Sequence, residues 1–133
     1  MGPIITIVKN AYDIIKDHDR WAQGYFQKDK DGKNCAWEDG YSFCALGALC
    51  FVANKDNDQL NDNFYHKALC IVQRHSEQMF QGNNIQTVND STPCAIAYEN
   101  VLRIFESVIE KFKDREPTEE ELVQGINMKS LLK

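Results

Sequence analysis

A chain of 133 residues, 43% of them hydrophobic, has the length of one ordinary domain and can bury a continuous core without disulfides or a structural metal. Its formal net charge of -5 argues against a surface built to neutralise phosphates, so nucleic acid is not an expected partner. The longest apolar run, Phe43 to Ala53, is about half of the roughly 20 residues that span a bilayer, and "MGPIITIVKN" carries neither a basic leader nor a cleavable apolar segment, so no membrane is expected and the expected location is the cytoplasm.

Ile4, Ile5, Val8, Ala11, Tyr12 and Ile15 recur at spacings of three and four and predict an amphipathic helix entered through Pro3. From Trp21 to Glu38 that period is lost. There "GYFQKDKDGKNCAW" reads as two short extended pieces joined by a turn at Asp31-Gly32, a dipeptide that tolerates positive φ. The segment "SFCALGALCFVAN" is apolar on every side, which predicts a helix enclosed by protein, with Ser42 as its N-cap. Gly47 inside it costs roughly 1 kcal/mol relative to Ala, which points to another backbone packed close against it.

After the polar loop "NKDNDQLNDN", the residues Phe64, Ala68, Ile71, Val72, His75 and Met79 form one helical face that ends at "QGNN". Ala97, Val101, Leu102, Phe105, Val108, Ile109 and Phe112 form the stripe of a fourth helix, with Pro93 at its start and Thr92 or Asp90 as its cap. Thr118 and Glu121 stand at capping-box spacing for one more short helix, which Gly125 stops before the tail "INMKSLLK". The fold class is therefore mainly α: a compact bundle of four to five helices with a small β-hairpin or irregular insertion after the first helix. Residues 1–133 form a single helical domain, its core at about 3–113 and a short helix and tail at 114–133.

Several groupings of reactive side chains have to be weighed against plainer roles. Asp29, Asp31, Gly32 and Glu38 fall at the third, fifth, sixth and twelfth positions of a calcium loop, but Gln27 occupies the first, so a solvated turn is the better reading. His66 and Cys70 share a helix face, and two ligands do not make a metal site. Five cysteines without CxxC spacing fit reduced, buried thiols better than a disulfide framework or a zinc cage. Neither a metal nor a cofactor is expected.

Cys44, close after a helix start, is a candidate nucleophile because the helix dipole and free N–H groups favour a thiolate, with His75 as the candidate base. The bland alternatives are a small core residue for Cys44 and, for His75, a half-buried ring bonded to a backbone carbonyl. Asn89 and Asp90 stand together before the fourth helix; capping needs one of them, and the pair suits holding a neighbouring loop or a polar ligand.

Taken together, "WAQG", "CALGAL" and "ND" resemble an uncharacterised family of small bacterial and phage proteins, a domain of unknown function. The matching positions are Trp21, Gln23 and Gly24, then Cys44, Gly47, Ala48 and Leu49, then Asn89 and Asp90, in order over roughly residues 4 to 112. Phe43 and Val88 depart from the pattern, and "REPTEEELVQGINMKSLLK" lies outside it. The resemblance implies a fold and a set of positions, not a reaction.

The expected function is a small cytoplasmic binding or regulatory module that recognises a protein or small polar ligand through the Trp21–Gly24 turn and the Asn89–Asp90 loop. The alternative is a thiol-dependent hydrolase or transferase with Cys44 as nucleophile. Tyr25, Phe26 and Tyr41 suit either a homodimer face or the core.

Overall fold

The structure, a computed structural model, describes residues 2–56 and 61–122. Among them the chain folds into α1 (Pro3–Ile15), β1 (Gln27–Lys28), β2 (Ser42–Phe43), α2 (Ala45–Asp56), α3 (Asn61–Met79), α4 (Ile85–Asn89) and α5 (Cys94–Lys111), and a last helical turn follows Thr118. This is the expected mainly helical arrangement with a small two-stranded insertion after the first helix.

α1 buries the predicted stripe Ile4, Ile5, Val8, Ala11 and Ile15. Its N-cap is Gly2, which has no side chain to satisfy the free amides of the first turn. The Glu116 carboxylate does so from across the molecule, accepting from the Ile4 N–H at 2.9 Å and the Ile5 N–H at 3.1 Å. A carboxylate at this end also meets the positive end of the helix dipole. At the other end the Tyr98 hydroxyl reaches the Ile15 and Lys16 carbonyls, both at 2.8 Å.

α2 has apolar residues all round and is accordingly enclosed: α1, α3 and α4 pack on it, and Ala45, Ala48, Leu49, Val52 and Ala53 are buried. Cys50, Phe51 and Asn54 are half-buried on the side covered by the insertion. A Cβ at Gly47 would overlap the Phe26 carbonyl oxygen, so the close backbone that the glycine predicts is the chain at Phe26.

The helix begins later than expected. Ser42 is not its N-cap; Ser42–Phe43 is β2, paired antiparallel with β1 in the register Gln27 with Phe43 and Lys28 with Ser42. Burial of Phe43, which is fully enclosed, draws this segment into the sheet. The turn at Asp31-Gly32 forms where expected, with Gly32 at φ 78°, but the second strand comes from further along the chain than the hairpin reading supposed. The Asp29 carboxylate folds this loop by accepting from the Asp31 and Lys33 N–H groups at 2.8 and 3.0 Å. Those bonds hold its pKa below the ordinary carboxylate value.

α3 buries Ala68, Ile71, Val72 and His75 as its period requires. α4 is an addition to the expected elements: Asn84 caps it, its Oδ1 accepting from the Thr87 N–H at 2.8 Å. Neither Thr92 nor Asp90 caps α5, whose N-cap is Pro93 without a side-chain bond, because Asp90 instead closes the carboxyl end of α4. The capping box at Thr118 and Glu121 is formed, the Thr118 N–H donating to Glu121 Oε1 at 2.8 Å and the Glu121 N–H to Thr118 Oγ1 at 3.2 Å. The expected stop at Gly125 and the tail beyond it lie outside the described residues.

Replacing Gly47 by Ala inside a helix would ordinarily stabilise by about 1 kcal/mol. Here the added methyl meets a backbone carbonyl that cannot swing away, and G47A is expected to destabilise by about 2 kcal/mol, read as a lowered urea midpoint at unchanged m-value.

Candidate functional site

α2 starts inside the protein, so its first amides cannot be hydrated and must find acceptors. Two side chains supply them. Cys44, the residue before the helix, accepts from the Gly47 N–H on its Sγ at 3.3 Å, as a serine or aspartate would at an N-cap. Asn89, from the end of α4, accepts from the Ala45 N–H on Oδ1 at 3.0 Å.

The same Asn89 oxygen accepts from Trp21 Nε1 at 2.8 Å, and its amide nitrogen donates to the Ala22 carbonyl at 3.0 Å and to Asp90 Oδ1 at 2.9 Å. A fully buried carboxamide thus has four partners on three segments. Around it, Gln23 Nε2 donates to the carbonyls of Asn89 and Ser91 at 2.9 and 2.7 Å. Asp90 Oδ1 accepts from the Gly24 N–H at 3.0 Å, and Asp90 Oδ2 from Gln86 Nε2 at 2.6 Å. Gly24 sits at φ 78°, where a side chain would be strained.

The Trp21–Gly24 turn and the Asn89–Asp90 loop are therefore brought together, with all five candidate binding residues in one hydrogen-bonded network. Trp21 is buried against Tyr98, ring centroids 5.0 Å apart, and Tyr98 also meets the exposed His18 ring edge-on at 4.7 Å. What remains outermost is the carboxylate of Asp90 and the chain leaving Gly24, with Tyr25 54% and Phe26 48% exposed.

The Cys44 and His75 pair is not assembled in this way. The Cys44 thiol is buried and bonded to the amide of its own helix start; burial pushes its pKa up against the smaller downward pull of the Gly47 and Leu46 amides, and the Asp90 charge adds a lesser upward push. The dipole argument for a thiolate is outweighed by desolvation. His75 bonds through Nδ1 to the Ser107 hydroxyl at 2.8 Å, where a backbone carbonyl was the expected partner, and its ring lies 6.0 Å from that of Phe112. Among the described residues no hydrogen bond links the thiol to a histidine.

Burial, with smaller contributions from Lys111 and Arg74, lowers the His75 pKa to about 4, against a weaker opposing pull from Glu121. His66 is exposed and Cys70 half-buried, and no group of three His, Cys, Asp or Glu side chains among the described residues is placed to hold a metal ion.

Sequence reasoning did not find Gln86 and Ser91, which complete the network, nor Glu116. The one signal available was the redundancy of an Asn beside an Asp where a single cap would serve. A different set of side chains, from Phe26 to Asn54, lines a cavity of about 780 Å³ between the insertion and α2; no motif marked it.

Asn89→Ala would strand the Trp21 indole N–H, the Ala45 N–H and the Ala22 carbonyl, at about 1 to 3 kcal/mol for each buried group left unpaired. N89A is expected to lose about 4 kcal/mol of stability by urea denaturation. His75 makes a separate prediction. Its folded pKa lies below the unfolded value of 6.5, so its contribution is complete above pH 6.5 and is lost as pH falls towards 4, on the order of 3 kcal/mol in all. The slope of stability against pH over that window should flatten in H75L.

The model of a family of unknown function, DUF6197, matches residues 1–124, which takes in Glu116 and the capping box as well as the network around Asn89. No curated protein and no solved structure matches the chain. By the extent of that match, the chain belongs to the DUF6197 family of unknown function.

Proposed function

We propose that the protein is a small cytoplasmic binding module that engages a partner protein, or a small polar ligand, over the joined surface of the Trp21–Gly24 turn and the Asn89–Asp90 loop. The observation that carries this reading is Asp90. An exposed carboxylate ordinarily sweeps through many rotamers, yet this one receives the Gly24 N–H, the Asn89 amide and the Gln86 amide and is held in one orientation. Directly after Gly24 in the chain stand two exposed aromatic side chains, Tyr25 and Phe26.

An acceptor fixed before its partner arrives loses little entropy on binding, and aromatic side chains supply most of the energy of protein interfaces. The exposed Cys94 and the half-buried Cys35 and Cys70 thiols form no disulfide among the described residues. No helix among the described residues is long and apolar enough to cross a membrane. Nothing in the surroundings of Cys44 favours the thiol-dependent hydrolase or transferase.

The test uses the full chain carrying a photo-crosslinking residue at Tyr25. Crosslinked species formed in the producing cell should disappear with Asp90→Ala, which costs only about 1 kcal/mol of stability because the Asp90 side chain is exposed. An unchanged crosslinking pattern in folded D90A would overturn the proposal.

A further inference from the structure

The donors already seated on Asp90 restrict what a partner can place there. A carboxylate offers about four lone-pair positions, two on each oxygen. Asp90 Oδ1 takes two donors, the Gly24 N–H at 3.0 Å and Asn89 Nδ2 at 2.9 Å, and Oδ2 takes one, Gln86 Nε2 at 2.6 Å. The position that remains is on Oδ2, on a side chain that is exposed. All three donors are uncharged amides, so they orient the carboxylate without cancelling its charge. A cation is therefore the group that gains most from it.

Two kinds of cationic side chain compete for such a place. A guanidinium binds a carboxylate best as a fork, with one N–H to each oxygen, and Oδ1 has no position for the second prong. An ammonium is a compact charge that needs one acceptor and can turn its hydrogens to meet it. Its apolar stem also finds support. The Tyr25 ring, one residue beyond Gly24, is 54% exposed and is held in place by Lys28, whose Nζ stands 3.7 Å from the ring centroid and is bonded to Asn34 Oδ1 at 3.0 Å. Phe26 and Ile96 expose further apolar surface on the segments that follow Gly24 and Asp90, which suits a protein chain better than a small polar ligand.

We infer that the partner is a protein that presents a lysine, its ammonium group donating to Asp90 Oδ2 and its methylene stem lying along the exposed face of Tyr25. This rests on the Asp90 surface being the binding surface.

The test adds the purified full chain, with the photo-crosslinking residue at Tyr25, to extract of the producing cell. Crosslinked species that are absent with D90A should vanish when the amines of the extract have been acetylated beforehand, and should survive modification of its guanidinium groups with phenylglyoxal. In untreated extract a water-soluble carbodiimide condenses a carboxylate with a touching amine to an amide, taking up the water that is lost. Mass spectrometry of the same species should then find Asp90 joined to a lysine Nζ of the partner. Asp90-dependent crosslinks that survive acetylation, that are lost to phenylglyoxal, or that yield no such amide overturn the lysine and leave the binding surface standing. Untreated extract without any Asp90-dependent species overturns the surface, and the lysine with it.

Discussion

A helix that starts in the interior brings its unpaired amides with it. Water cannot reach the first turn of α2, and each amide left without an acceptor there would cost as much as a sizeable part of the stability of a domain this small. The Asn89 carboxamide answers that requirement, and because it is large enough to hold four partners it does more than cap. It joins the start of α2, the turn at Trp21 and the end of α4 at one buried point. An aspartate at that position could accept the helix amide but not donate to the Ala22 carbonyl, and a serine has a single hydrogen to give where Asn89 donates to both Ala22 and Asp90.

The geometry of the polar surface follows from this buried joint. Asp90 is oriented because Asn89 beside it is immobile and donates to it, and Gly24 is oriented because the turn that carries it is tied through Ala22 and Gln23. The exposed acceptor and the aromatic pair are thereby placed by a core interaction and not by loop packing. The cavity on the far side depends on a second contact of α2, the approach of the Phe26 backbone to Gly47, so one helix positions both faces of the insertion.

Much of this was legible in the sequence. The stripes of α1, α3 and α5 were, because a helix that buries one face repeats its apolar residues every three or four positions. So was the crowding at Gly47, since a glycine in the middle of an apolar helix is costly unless a side chain would not fit. The pairing of the two loops was legible in outline, from an Asn and an Asp where one cap would do. The later start of α2, the short α4 and the partner of β1 were not, since each is decided by contacts with distant segments: Phe43 is drawn into the sheet by burial, and α4 is too short to show a period. The Cys44 argument failed on a matter of degree. A helix dipole lowers a thiol pKa, but burial raises it by more, and burial is a property of the whole fold.

The bond from Glu116 to the first turn of α1 spans 112 residues of chain. During synthesis α1 leaves the ribosome long before its carboxylate exists, and its Gly2 cap gives the emerging turn nothing to hold. The first turn of the helix that opens the sequence is thus capped only once residue 116 has been made, whereas α2, α3 and α5, which cover its apolar stripe, all precede that residue.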